Sequence, residues 1–325
     1  MAKTAAHFSS SSSGRQVRVD PRAIDRYPPD MTLLAPPPAL LDGLAAVACD
    51  YDVLLCDVWG VIHNGRESFP GATEALQRFA TERGPVVLIS NAPRPARDVL
   101  PQLRGLGVPD GAWSGFVTSG DATRAVLGQF APGPAWALGP ARDAPLYAGL
   151  GLSFSGPDEA AFIACTGPVD DEHETPEDYR ERLTACVARG LVMVCANPDR
   201  VVQRGDQLIY CGGALADLYA ALGGQVVMAG KPCSPIYDLA LAEAAALFGG
   251  PLERRRILCV GDGLPTDVRG AADQGLDCLF IAAGIHRNEV MGGDGRLSST
   301  LAAERLGAEG LHARYLMAEL TWSNQ

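Results

Sequence analysis

Six polar side chains of this chain come at, or shortly after, the ends of four short apolar segments. They are Asp57, Ser90, Asn91, Lys231, Asp262 and Asp267. Carboxylate oxygens are ligands that a hard divalent cation prefers, and an ammonium group balances the negative charge of a phosphate. The residue types therefore indicate a site for a divalent cation and a phosphate group.

The apolar segments predict how these side chains are brought together. Segments 53–56, 86–89, 226–228 and 257–260 are short and continuously apolar, which is typical of buried parallel strands. In an open parallel sheet, ligands bind beyond the carboxyl ends of the strands. We therefore predict that the four segments belong to one sheet and deliver the six side chains to one edge of it.

Composition limits the classes of partner and compartment. A net charge of −11 argues against nucleic acid or an anionic membrane as a partner. The nine cysteines include no CxxC pair, and most lie within or beside apolar segments, as expected of buried thiols in a reducing compartment. No segment approaches the roughly 18 uninterrupted apolar residues of a membrane span. We predict a cytoplasmic protein.

Residues 1–30 differ in composition from the rest of the chain. They include the serine run 9–13 and no acidic residue before Asp20. This composition predicts a disordered N-terminal tail. It also fits an organelle transit peptide, which is rich in serine and poor in acids, so both interpretations stay open.

Strand and helix patterns alternate along the chain and predict an α/β fold. Helices are expected at 70–81 and 95–106, and strands of a second α/β set at 162–166 and 191–195. The alternation of the first set resumes with the apolar segment at 226. We predict a core domain formed by two separate stretches of chain, 31–124 and 216–325, with a cap domain at 125–215 inserted between them.

Taken together, these segments resemble the haloacid dehalogenase superfamily, in particular its class IIA, NagD-like branch. The resemblance is carried by the motifs DVWGVIHNG, LISNAPRP, GKPCSPIY and GDGLPTD, in this order, with a cap-sized insertion before the third. It covers about residues 45–290, and the tryptophan of the first motif looks like a particular subgroup of the branch. It implies a Rossmann-like parallel-sheet core, a mobile α/β cap and Mg²⁺-dependent phosphoryl transfer through an aspartyl-phosphate.

The resemblance also implies a role for each matching residue. Asp57 is the expected nucleophile, Ser90 holds a phosphoryl oxygen, and Lys231 offsets negative charge. The expected metal ligands are Asp57, the backbone carbonyl of Trp59, Asp262 and Asp267. The expected substrate contacts are Asn91, Asn197 and Asp199, although a simple turn explains the last two equally well.

Position 59 departs from the superfamily pattern. Most phosphatases of the superfamily have an aspartate there, which protonates the leaving oxygen and then activates water. Trp59 has no group that titrates near neutrality, and the loss of a general acid/base costs about 10²–10⁴-fold in rate. Either the leaving group needs no proton, or another residue such as His63 substitutes, or the protein binds a phosphorylated ligand without turnover.

We therefore predict a Mg²⁺-dependent hydrolase that acts on a small phosphomonoester such as a sugar phosphate. The alternative is a weakly active or non-catalytic protein that binds a phosphorylated ligand. A nucleotide-dependent oxidoreductase is disfavoured because no GxGxxG motif follows the first strand. The expected partner is a small phosphorylated metabolite, with neither nucleic acid nor membrane, and a homodimer formed through the caps is compatible with this architecture.

Overall fold

A computed structural model describes residues 36–322 of the chain, except residues 206, 283–285 and 294. The tail predicted at residues 1–30 lies outside the described residues. Among the described residues, no helix combines the length and the apolar character that crossing a bilayer requires.

Strands and helices alternate along most of the described chain. The strands are β1 Ala39–Leu40, β2 Val53–Cys56, β3 Val86–Ser90, β4 Gly115–Thr118, β5 Ala135–Leu138, β6 Phe162–Cys165, β7 Val192–Cys195, β8 Val201–Arg204, β9 Gln207–Tyr210, β10 Gln225–Met228, β11 Ile257–Gly261, β12 Asp277–Ile281 and β13 Tyr315–Met317. The helices are α1 Pro70–Glu82, α2 Ala96–Gly105, α3 Ser119–Leu127, α4 Arg180–Ala188, α5 Gly212–Ala221, α6 Ser234–Phe248, α7 Arg269–Asp273, α8 Arg287–Val290 and α9 Ser299–Gly307. The helices predicted at 70–81 and 95–106 are thus confirmed as α1 and α2.

The larger sheet has seven strands in the order β1-β13-β12-β11-β2-β3-β4, and every pairing is parallel. Its central strands β2, β3 and β11 are buried along their whole length. Leu54 and Cys56 pack into the apolar cluster on one face, whereas Val53 and Leu55 pack into the cluster on the other. Both faces are covered, which explains why these strands are continuously apolar in sequence.

A second parallel sheet has the order β10-β7-β6-β5, and β8 and β9 form a separate antiparallel hairpin. The assignment of segment 226–228 to the core sheet was wrong, because β10 pairs with β7 in this second sheet. A short apolar segment does not specify which parallel sheet it joins, and here the chain returns through α5 to pair with β7. The last strand of the second sheet in chain order therefore ends at Met228, beyond the cap boundary predicted at residue 215. The division into core and cap stays a prediction.

Candidate active site

Three acidic side chains meet at the carboxyl edge of the larger sheet. Asp57 directly follows β2, and Asp262 directly follows the neighbouring strand β11. Asp267 lies in the π-helical turn Leu264–Val268 that comes next. One carboxylate oxygen of each of the three acids lies within 4.8 Å of the other two. The structure thus brings together the three acids that the sequence placed at one edge.

The ammonium group of Lys231 lies between two of these acids. Its Nζ donates to Asp57 Oδ1 and, at 2.7 Å, to Asp267 Oδ1. Burial works to lower the pKa of Lys231, but the attraction of Asp267 and Asp57 outweighs it and raises the pKa. The ammonium group therefore stays charged at neutral pH. Lys231 reaches the cluster from the segment after β10, not from a strand of the core sheet.

Lys231 is also one of only two lysines in the chain, the other being Lys3. An ammonium group is a compact point charge with three donors, whereas a guanidinium is a wide planar fork. In a side chain only 2% exposed and in contact with two carboxylates, the compact group has the better geometry. The residue type at position 231 is therefore informative in a chain whose other cations are almost all arginines.

Burial also shifts two acids of the cluster, Asp57 and Asp262, toward their neutral forms. It raises the pKa of Asp57 to about 7, with Lys231 acting in the opposite direction and Asp267 reinforcing the rise. It raises the pKa of Asp262 well above its usual value, to which the charges of Asp57 and Asp267 add. Crowded carboxylates of this kind fit a divalent cation that prefers oxygen ligands, since its charge would offset their mutual repulsion. The residues that would hold it are Asp57, Asp262 and Asp267.

A tight loop after Asp57 brings the chain close to this cluster. Gly60 has φ +93°, and a Cβ there would overlap the carboxylate of Asp262, so this position requires glycine. The two shortest backbone hydrogen bonds that close the loop are Gly60 N to His63 O and Ile62 N to Val58 O, both at 2.9 Å. Neither uses the carbonyl of residue 59, the backbone group that the resemblance assigns to the metal.

Ser90 and Asn91 occupy the end of the adjacent strand β3. Ser90 is 7% exposed, and its hydroxyl accepts from the backbone N–H of Ala92 at 3.2 Å. Asn91 Oδ1 accepts from the backbone N–H of Lys231 at 2.8 Å, and its Nδ2 donates to Asp199 Oδ1 at 2.8 Å. Asn91 therefore connects the backbone of Lys231 to Asp199, which lies in the loop between β7 and β8.

The indole of Trp59 is directed toward the β8–β9 hairpin. Its Nε1 donates to the backbone carbonyl of Gln203 at 2.6 Å. Its ring lies edge-on to His63, with 5.0 Å between ring centroids. Sequence reasoning missed Gln203, because a contact made through a backbone carbonyl leaves no signature in the residue type.

Two cavities lie beside these residues. The larger, of about 720 Å³, is lined by the cluster Asp57, Lys231, Asp262 and Asp267. The smaller, of about 340 Å³, is lined by His63 and Asn197. Trp59, Asp199 and Val202 line both cavities. The predicted site residues therefore do not all face one space, since His63 and Asn197 face the smaller cavity.

His63 and Asn197 both have local structural partners. His63 is 2% exposed, and its Nδ1 accepts from the backbone N–H of Gly65 at 3.0 Å. Burial lowers the pKa of His63 to about 4, so the imidazole is neutral at pH 7. Asn197 Oδ1 accepts from the backbone N–H of Asp199 at 3.2 Å, which is the geometry of an Asx turn.

The order of these elements and acids matches a known family. The chain matches the sequence model of haloacid dehalogenase-like hydrolases over residues 54–153 and a HAD-hydrolase-like model over residues 228–308. Between them, the two matches include the segments that carry Asp57, Ser90, Lys231 and Asp262.

Three similar proteins support this match. D-glycerol 3-phosphate phosphatase of Mycobacterium tuberculosis is 26% identical over 75% of this chain, and the chain spans 66% of that protein's length. Ribonucleotide monophosphatase NagD of Escherichia coli is 28% identical over 71% of this chain and 88% of NagD. The crystal structure of a haloacid dehalogenase-like hydrolase from Brucella suis is 42% identical, with a TM-score of 0.77, and the match covers 86% of this chain and 99% of that chain.

These matches confirm the predicted superfamily, its NagD-like character and the parallel-sheet fold class. The two family matches begin within β2, just before Asp57, and end at residue 308, directly after α9. This chain belongs to the haloacid dehalogenase-like hydrolase family.

Proposed function

We propose that this protein is a Mg²⁺-dependent phosphatase that transfers the phosphoryl group of a small phosphomonoester to Asp57. One observation carries the proposal: a buried lysine contacts the nucleophile candidate and Asp267, with Asp262 beside them, at the wall of a cavity. Such a cluster combines an attacking carboxylate, a fixed positive charge and oxygen ligands for a cation, which are the groups that phosphoryl transfer needs.

Each residue then has a task in the proposed reaction. A carboxylate oxygen of Asp57 attacks phosphorus, and water later releases the group as inorganic phosphate. Lys231 holds the attacking carboxylate in place and offsets the charge of the phosphoryl oxygens, while the hydroxyl of Ser90 donates to one of them. When bound to Asp57, Asp262, Asp267 and the backbone carbonyl of residue 59, Mg²⁺ would supply further positive charge at the phosphoryl group.

The size of the cavity and the charge of the chain support a small substrate. About 720 Å³ is within the range of small-molecule sites, and a net charge of −11 disfavours nucleic acid and anionic membranes. Two relatives are named for glycerol 3-phosphate and for ribonucleotide monophosphates, which are small phosphomonoesters. We propose a small phosphorylated metabolite as the substrate and the cytoplasm as the compartment.

One observation favours a second candidate function, the binding of a phosphorylated ligand with little turnover. The indole N–H of Trp59 already donates to the carbonyl of Gln203. Position 59 therefore offers the reaction neither a proton donor nor a base.

The test is phosphate release from a panel of phosphorylated metabolites with and without Mg²⁺. In Asp57→Asn we expect release to fall by about 10⁴-fold or more, as for other removed nucleophiles. Asp52→Asn is the matched control, because Asp52 precedes the same strand at its opposite end and pairs with Arg256. No release by the native protein, together with thermal stabilisation by a panel member, would replace the first function with the second.

A further inference from the structure

The proposed reaction needs a proton donor that position 59 lacks. When the P–O bond to an alkyl leaving group breaks, the leaving oxygen takes the electron pair and requires a proton. When water attacks the phosphorylated aspartate, a base must accept a proton. A group with both tasks has to lie in the larger cavity, within reach of the phosphorus bound at Asp57.

Most carboxyl groups that line the larger cavity belong either to the acid cluster or to ion pairs with arginines. Asp57, Asp262 and Asp267 form the cluster described above. Three others lie farther out and pair with arginines: Asp217 with Arg200, Glu309 with Arg305, and Glu319 with Arg287. Among the described residues that line the cavity, this leaves the carboxyl group of Asp199.

Asp199 is held at the junction of the two cavities by bonds on both sides. Its backbone N–H donates to Asn197 Oδ1, and its Oδ1 accepts from Asn91 Nδ2, beside Ser90 at the end of β3. Among the described residues, no hydrogen bond is made by its second oxygen, Oδ2. One oxygen thus fixes the position of the carboxyl group, and the other is available to a substrate.

We propose that Asp199 is the general acid and base of this phosphatase and replaces the aspartate that Trp59 displaces. This inference rests on the proposed function. In the first step, a carboxylate oxygen of Asp57 bonds to phosphorus, the P–O bond to the leaving group breaks, and Asp199 Oδ2 passes its proton to the leaving oxygen. In the second step, the oxygen of water bonds to phosphorus, its proton goes to the Asp199 carboxylate, and the bond from phosphorus to Asp57 breaks.

The surroundings of Asp199 suit this role. Burial raises its pKa, which increases the protonated fraction near neutrality, while Lys231 and the amide of Asn91 act against the rise. The charged and titratable groups that act on it or are affected by it are Lys231, Asp57, Asp262, Asp267 and the thiol of Cys211.

His63, the substitute that the sequence suggested, is less well placed. It lines the smaller cavity, and its Nδ1 is occupied by the backbone of Gly65. With a pKa of about 4, its imidazole carries no transferable extra proton at pH 7. Its position and protonation state therefore favour Asp199 as the proton donor.

The variant that tests the proposal is Asp199→Asn, whose amide oxygen can still accept from Asn91 while the proton is lost. With Mg²⁺ present, we expect turnover of an alkyl phosphate to fall about 10²–10⁴-fold. Nitrophenyl phosphate should still give a rapid burst of nitrophenol, because its leaving group needs no proton. The alkaline limb of the pH–rate profile should disappear in this variant and return in Asp199→Glu. Asp217→Asn, which removes a carboxyl group farther out in the same cavity, is the matched control.

The outcomes separate this inference from the function on which it rests. No burst and no turnover by the native protein would overturn the proposed function itself. An active native protein whose Asp199→Asn variant keeps full alkyl-phosphate turnover would overturn only the role of Asp199. The same holds if the variant melts normally but loses the burst, since Asp199 would then be needed for binding, or if His63→Gln alone removes the alkaline limb.

Discussion

The two ends of the candidate site are held together by different forces. The phosphate end consists of Asp57, Lys231, Asp262 and Asp267. Lys231 forms buried ion pairs with Asp57 and Asp267, and Asp262 lies beside the two acids. The cap end consists of Trp59, Asp199 and Gln203 and is held by single hydrogen bonds. Asp199 accepts one from the side-chain amide of Asn91, and Trp59 donates one to the backbone carbonyl of Gln203. Breaking a buried ion pair costs about 3–5 kcal/mol, whereas one ordinary hydrogen bond contributes about 1 kcal/mol.

This difference separates two aspects of the proposed chemistry. The groups proposed to bind and attack the phosphate are held by buried ion pairs of Lys231, so their geometry should be the more rigid of the two ends. The groups near the leaving oxygen depend on how the loop and hairpin between β7 and α5 lie against the core. Recognition and proton transfer are thus expected to be the adjustable functions of the site.

The largest expected effect comes from breaking the phosphate end. Lys231→Met leaves two buried carboxylates without a counter-charge, and we expect the free energy of unfolding to fall by about 3–5 kcal/mol. Urea denaturation at pH 7 without metal measures it. Arg256→Met, which breaks the more exposed pair with Asp52, is the control and should lose much less. An equal loss of unfolding free energy in the two variants would show that the buried ion pairs stabilise the protein no more than the exposed one.

The burial of His63, beside the cap end, predicts how the free energy of unfolding changes with pH. The pKa of His63 is lowered by burial to about 4, so between pH 6.5 and 4 the unfolded state takes up a proton that the folded state does not. This contribution to stability is complete above pH 6.5 and is lost as the pH falls, by up to about 3 kcal/mol.

Denaturation curves of the native protein and of His63→Gln, recorded from pH 7 to pH 4, measure this loss. The variant should lose less stability over this range than the native protein. Parallel curves would mean that the imidazole is as accessible in the folded state as in the unfolded state.

The next effect concerns the cation. Asp262→Asn replaces a carboxylate of the acid cluster with a neutral amide, and we expect Mg²⁺ affinity to fall by at least the roughly 10–100-fold typical of a lost supporting residue. Calorimetric titration of the native protein, Asp262→Asn and the control Asp217→Asn provides the comparison. Unchanged binding in the first variant would remove Asp262 from the metal site.

The smallest effect should come from the cap end. Trp59→Phe keeps an aromatic ring but removes the donor to the Gln203 carbonyl, so stability should fall by only about 0.5–1.5 kcal/mol. Amide hydrogen exchange should increase mainly in the hairpin of β8 and β9. Trp113→Phe, at a partly buried ring packed on the main core, serves as control. A loss as large as that of Lys231→Met would show that the hairpin holds the core together.

Much of the core and of the phosphate end could be predicted from local sequence. Strands β2, β3 and β11 are continuously apolar because both faces of their sheet are covered. Asp57 and Asp262 follow two of these strands directly. Since parallel neighbours end at the same edge, their meeting follows from chain order and strand pairing.

Other features depend on contacts that no local pattern encodes. Segment 226–228 was assigned to the wrong sheet because its residues are equally suited to either one. Trp59 signals a missing acid, but its contact is with the backbone of Gln203, whose residue type is irrelevant to the bond. His63 has the residue type of a proton donor, yet burial lowers its pKa so that it is neutral at pH 7, and the backbone N–H of Gly65 occupies its Nδ1.

By itself, the sequence determined the parallel-sheet core, the family and the acids and lysine of the phosphate end. Periodicity and the spacing of polar residues after strands depend only on residues near one another in the chain, so they can be recognised in the sequence. Tertiary structure alone decided that β10 joins the second sheet and that Asp199 reaches Asn91 across 108 positions of the chain. Contacts of this kind depend on how separate elements pack, and packing is set by the whole fold rather than by the residues near each contact.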